Sequence, residues 1–261
     1  MNRTWNLTEL EMFTLWEWAT SDFVPWPFFC RTRTLDADEL DRQKADALAG
    51  LQRNEPEFVG FVLEALLDPD IKVIVHGHDG VDDMKVDALV RVMGCRRGDR
   101  GYVIRQKPGD TYWDSGGYVV TECDAVGLAD YVVRELPENA PGREADLVLE
   151  TGDRAAQLDY SYAISSVHDS FDDPAPVRAK QFESAPLVRA GEVEVIQGRS
   201  RFGPRGVTRH KLSWRDVVDD GRYVIAEEVP RVAVAADAKR FTELINQRIA
   251  EVVRAIKDER V

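Results

Sequence analysis

The chain has 261 residues, 44% of them hydrophobic and 31% charged, with a formal net charge of -13 and a sequence pI of about 4.9. That length and apolar content suffice for a well-buried core and exclude disorder for most of the chain. The acidic balance argues against a general nucleic-acid binder, because a phosphate backbone rewards an excess of Lys and Arg.

The opening residues, MNRTWNLTELEMF, interrupt with acidic side chains the apolar stretch a signal peptide requires, and no window approaches the eighteen or so apolar residues of a spanning helix. A cytoplasmic protein without membrane contact is expected. Thr8-Glu9-Leu10-Glu11 has the capping-box pattern and predicts a helix from Thr8 to Thr20, ended by Pro25 and Pro27. Phe28 to Thr32 reads as a short strand, and Asp36 starts a second helix reaching about Leu51. A third helix follows Asn54-Glu55-Pro56-Glu57, with Phe58, Phe61, Val62, Ala65 and Leu66 at helical spacing.

Beyond Asp68-Pro69-Asp70 the pattern changes to strands: Ile71 to His76, Val86 to Met93, Tyr102 to Gln106 and Tyr118 to Thr121, separated by turn residues. Their short connections predict an antiparallel meander. Asp124 then opens a helix with Ala125, Leu128, Ala129, Val132, Val133 and Leu136 on one stripe. Pro137 to Gly142 marks the best internal boundary. In the second half, Asp153 to about Val167 reads as helix and His168 to Gly191 as largely irregular. Val193 to Gln197, Gly206 to Leu212 and Arg222 to Ala226 read as strands, and Asp237 to about Glu259 as a long amphipathic helix.

The chain also echoes itself: GCRRGDRGYVIR at Gly94 to Arg105 recurs loosely as GRSRFGPRGVTR at Gly198 to Arg209, each followed by a Trp, a Gly-bounded β run and a helix. This predicts an α+β fold, a single domain over 1–261 with pseudo-two-fold halves 1–136 and 152–261 joined by a Pro/Gly linker at 137–151. The two meanders are expected to share one twisted, mainly antiparallel sheet flanked by two helical subdomains, with the Arg-Gly turns as equivalent hairpin tips.

Chemistry-bearing motifs are sparse. Cys30, Cys95 and Cys123 lie far apart without CxxC spacing, so a zinc knuckle or a disulfide framework is not indicated. His76 and His78, two apart on a strand, would point to one side and are the sharpest candidate metal pair. Only His168 and His210 remain as a third histidine ligand. No GxSxG, GxxxxGK[ST] or helix-opening GxGxxG occurs. Arg199, Arg201, Arg205 and Arg209 form a basic stripe expected to pair with neighbouring carboxylates. A binding module without cofactor fits better than an enzyme. The alternatives are a metal-dependent enzyme or metal-binding module on His76 and His78, or a dimerisation module.

The order of motifs, from an early Trp before a helix through LEALLDPDIKVIVHG, GCRRGDRGYVIR and SGGYVVTECD to QGRSRFGPRG and IKDER, resembles the EspG family of type VII (ESX) secretion-associated chaperones of actinobacteria. The chain departs from that family's pattern in a short, proline-interrupted segment between Val167 and Val193 and a short loop at His78 to Lys85. The resemblance implies a non-enzymatic cytosolic chaperone, monomer or weak homodimer. Its partner would be a helical secretion substrate, PE/PPE-like or WXG-type, gripped at an apolar tip. Candidates for the grip are Phe171, Phe182, Leu187, Val188, Val195, Phe202, Val207 and Trp214.

Overall fold

The computed structural model describes residues 3–144, 146–149 and 174–260. The first half begins with β1 (Thr4–Leu7), then α1 (Glu9–Thr20), α2 (Ala37–Asn54), a π turn (Phe58–Val62) and α3 (Leu63–Leu67). The meander follows as β2 (Ile71–Asp79), β3 (Val90–Arg97), β4 (Arg100–Pro108) and β5 (Ser115–Asp124), closed by α4 (Leu128–Arg134). After it come β6 (Leu147–Leu149), α5 (Pro174–Ser184), β7 (Leu187–Gln197), β8 (Arg209–Val217), β9 (Gly221–Ala226), β10 (Arg231–Ala235) and α6 (Ala238–Asp258). The expected helix from Asp153 to Val167 lies outside the described residues.

Local chemistry sets the helix starts. Thr8 accepts from the Glu11 amide at 3.2 Å while the Glu11 carboxylate accepts from the Thr8 amide at 2.8 Å, which completes the predicted capping box. Asp36 and Asp237 cap α2 and α6 through the amides of Glu39 and Arg240. In the third helical segment the Leu63 amide donates to the Phe58 carbonyl, five residues back. The extra residue in that turn carries Phe61 out to solvent at 71% exposure while Phe58 and Val62 bury, a correction to the single stripe expected there.

The ten strands of the described residues form one sheet in the order β1-β5-β4-β3-β2-β7-β8-β9-β10-β6, and every neighbouring pair is antiparallel. Reading outward from the β2–β7 seam, both sides run through a four-stranded meander and end on the strand that opens each half. The two meanders therefore share one sheet, as expected. The echo does not mark the repeat: Gly94 to Arg105 spans the β3–β4 hairpin, whereas Gly198 to Arg209 is the β7–β8 connection. By strand order, β8–β9 is the counterpart of β3–β4. Gly98, at φ 61 in the β3–β4 turn, fits a residue that a side chain would strain.

Four other expectations are corrected. Phe28 to Thr32 is not a strand but an anchored loop, held by the Phe29 amide on Gln106 Oε1 at 2.9 Å and the Tyr118 hydroxyl on the Phe29 carbonyl at 2.8 Å. The segment after His168, read as irregular, contains α5 and most of β7's first half. The 137–151 stretch includes β6, paired with β10. Finally, β1 and β10 are strands the periodicity did not reveal.

The two faces of the sheet are covered differently. On one face α4 and α6 cross the middle and bury Val73, Val75, Val193, Val195, Leu212 and Val224. On the other face α1, α2 and α3 pack on β3, β4 and β5, and α5 packs on β9 and β10, as two separate cores.

At the seam Gly77 lies opposite Gly191, and the indole of Trp214 covers both. A Cβ on Gly77 would sit 2.6 Å from the Trp214 ring; one on Gly191 would sit 2.5 Å from Trp214 Nε1 and 2.5 Å from the His76 carbonyl oxygen. Gly191→Val is expected to cost about 3 kcal/mol through overpacking, read as a lowered denaturant midpoint. Gly50→Ala, in a helix with open space at its Cα, should raise stability by about 0.5–1 kcal/mol.

Candidate binding groove

Because the helices on the second face belong to separate lobes, the seam between them stays open. A groove of about 630 Å³ runs there, with His76, His78, Glu192 and Ser213 along its floor. Tyr112 and Met84 line its first-lobe side, and Arg215, Arg231 and Glu183 its second-lobe side. The polar floor follows from strand alternation. In β2 and β7 the residues alternating with the buried valines face away from α4 and α6; of these Lys72, His76, Glu192 and Glu194 are polar, while Ile74 packs against the first-lobe core.

An aromatic cluster borders the first-lobe side. Trp26 stacks on His76 with ring centroids 4.6 Å apart and meets Phe29 edge-on at 6.0 Å. Phe29 in turn contacts Tyr112 at 5.3 Å and Trp113 at 5.0 Å. Arg91, 3% exposed, lies between Phe29 and Tyr112 at 4.5 and 4.4 Å from their centroids and donates to the Tyr112 carbonyl at 2.7 Å. This sandwich fixes the cluster while leaving Trp26 and Trp113 about half exposed.

Burial, then the Arg91 guanidinium and His78, lower the His76 pKa to about 4. Its Nε2 is buried without a partner. His78 uses Nδ1 on the Asp79 carbonyl at 2.8 Å. The third ligand a metal site needs is not assembled: among the described residues no group of three or more His, Cys, Asp or Glu is placed to hold an ion. His210 sits on the opposite face, 3.3 Å from Glu251, and His168 lies outside the described residues.

The residues proposed from sequence for the grip scatter. Trp214 and Val195 are fully buried under α4 and α6, and Phe182 is buried against Tyr223 at 5.0 Å, so these three belong to the core. Leu187 is half-buried beside the same second-lobe core, Val188 is exposed, and Val207 is half-buried. Phe202 is 70% exposed but lies in the β7–β8 connection, away from the groove. Phe171 falls outside the described residues. Sequence reading missed Trp26, Tyr112, Trp113 and Arg231; its available signal was tryptophans in proline- and glycine-bounded loops, PWPFF and TYWDSGG. The basic stripe pairs as expected at two positions, Arg199 with Asp68 at 2.6 Å and Arg209 with Glu194 at 3.1 Å; the Arg201 guanidinium instead donates to the Glu259 carbonyl at 2.6 Å, and the Glu259 carboxylate accepts from the Arg201 amide at 2.8 Å.

A single open sheet, two helical lobes on one face and a cleft over the seam define a two-lobed sheet platform. The EspG family model matches residues 8–247, and the chain belongs to that family. Among solved structures it is similar to the Mycobacterium tuberculosis type VII secretion system chaperone EspG5, determined in complex with the PE25–PPE41 dimer. The identity is 14%, with 93% of each chain covered and a TM-score of 0.53, a likeness of fold. No curated protein matches the sequence.

Neutral His76 ties stability to pH. Its folded pKa lies below the ordinary value of 6.5, so its contribution is complete above about pH 6.5 and is lost as pH falls towards about 4. His76→Gln should flatten that part of the stability–pH curve, measured by urea titration at stepped pH.

Proposed function

We propose that this protein is a specific chaperone of type VII (ESX) secretion that binds a helical PE/PPE-type substrate and keeps it soluble in the cytoplasm, without catalysis. The observation that carries the reading is the open groove at the seam of a chain that belongs to the EspG family. The structurally similar EspG5 was solved with a PE25–PPE41 dimer on it. No helix of the described residues is long and apolar enough to cross a membrane.

The energetics suit a carrier. Fully burying two apolar side chains of a substrate contributes on the order of 3–6 kcal/mol before ordering costs. An interface of roughly 800 Å² per partner holds such a complex while permitting release.

Co-expression with PE/PPE-like and WXG-type pairs encoded near its own gene, followed by affinity capture and gel filtration, tests this. A stoichiometric complex with one such pair is expected, together with a larger soluble fraction of that pair. Capture of none of them, with the pairs equally soluble in its absence, would sink the proposal.

A further inference from the structure

The two walls of the groove are related by the pseudo-symmetry yet differ in chemistry. Gly77 faces Gly191 across the seam; His76, the residue before Gly77, pairs with Arg91, and Ala190, the residue before Gly191, pairs with Arg215. Each arginine leans on a phenylalanine of its own lobe, Arg91 on Phe29 at 4.5 Å and Arg215 on Phe182 at 5.4 Å. On the first lobe that contact supports the half-exposed Trp26 and Trp113. On the second lobe Arg215 donates to the carbonyls of Phe182 and Glu183, at 3.4 and 3.3 Å, and stands beside Arg231 in the groove lining.

Among the described residues neither Arg215 nor Arg231 forms an ion pair, although the chain carries an excess of acid. The acids that line the same groove are otherwise placed. Glu192 is paired with Lys211 at 2.7 Å, Asp83 lies on the β2–β3 connection, and Glu183 offers Arg215 its carbonyl while its carboxylate favours the Arg215 charge from beyond ion-pair distance.

We infer that the groove recognises its partner with two unlike walls: Trp26 and Trp113 take apolar side chains, while Arg215 and Arg231 take a carboxylate. The occupant is the end of a helical segment that carries an acidic residue beside apolar ones. The hydrophilic floor of His78, Glu192 and Ser213 suits the free backbone amides and carbonyls of a helix end. The aromatic wall is already fixed before binding, so little side-chain entropy is lost there. This inference rests on the chaperone reading and specifies its site.

The probe is the PE/PPE-type heterodimer recovered by co-expression, titrated calorimetrically into the full chain. Trp26→Ala and Trp113→Ala should each weaken binding roughly tenfold or more, as buried interface tryptophans do. Arg231→Glu should weaken it by a similar factor and flatten its dependence on salt. Phe202→Ser, exposed at the far end of β7, should bind as wild type. Thermal melts accompany each variant, and Trp26→Leu replaces the alanine variant if the rim unfolds, with the same direction of effect. Wild-type binding that neither wall's variants disturb overturns the inference and leaves the chaperone reading standing. Loss at one wall alone overturns the two-wall form, and a wild-type chain that binds no helical pair overturns both.

Discussion

The pairing of β2 with β7, from Ile71 opposite Gln197 to Asp79 opposite Arg189, is the interaction on which the rest of the molecule depends. Without it each half would be a curled meander with an exposed edge strand. With it the edges vanish from the centre, and one indole can pack across both halves. Trp214 reaches the seam because Gly77 and Gly191 present no side chain towards α4 and α6. Behind it the Arg222 guanidinium lies 4.9 Å from the Trp214 ring and forms a buried pair with Asp216 at 2.7 Å. Breaking such a pair by removing one partner leaves an uncompensated buried charge, so the seam is guarded by polar as well as apolar contacts.

The groove follows from the same seam. Each half covers its own outer strands with its own helices, which form two separate cores among the described residues, and the groove runs along the seam between them. A face left open must be tolerable in water, and the strands supply this by alternation. Val73, Val75, Val193 and Val195 go to the helix-covered face, while Lys72, His76, Glu192 and Glu194 go to the other, where Ile74 is taken up by the first-lobe core. The groove is thus a property of two strand patterns rather than of any one loop.

That alternation was on view in the sequence, and the meanders, the capping box and the long last helix were legible for related reasons: each is a periodic signal with local punctuation. Strands of three to five residues, such as β6 at the sheet edge and β10 beside it, carry too few positions for a period to show. Proposed grip residues such as Val195 and Trp214 failed for a different reason. Both sit at alternate positions in central strands, and the sequence says that such residues share a face without saying which face is covered. The Arg-Gly echo misled because turns between twisted strands draw on the same few residues wherever they occur. By strand order the equivalent positions are the less conspicuous pairs His76-Gly77 with Ala190-Gly191 and Val90-Arg91 with Trp214-Arg215.

Those equivalent positions carry different roles in the two halves. An arginine in the inner flanking strand, aimed at a phenylalanine of its own lobe, is common to both sides. Where the first lobe added Tyr112 on the other side of the guanidinium, Arg91 became enclosed and 3% exposed, its charge held between two ring faces. Burial lowers its pKa while the hydrogen bond to Tyr112 opposes that shift, as expected of a cation retained for its shape and donors. Arg215 has only the one ring and is half-buried at the groove wall, where burial lowers its pKa, the Glu183 carboxylate opposes that shift and Arg231 adds to it. Glu183 offsets part of the repulsion between Arg215 and Arg231 and leaves that wall with room for a further negative group, whereas an arginine sealed between rings is satisfied already. The same residue at symmetric positions has therefore become a support on one wall and an open contact on the other.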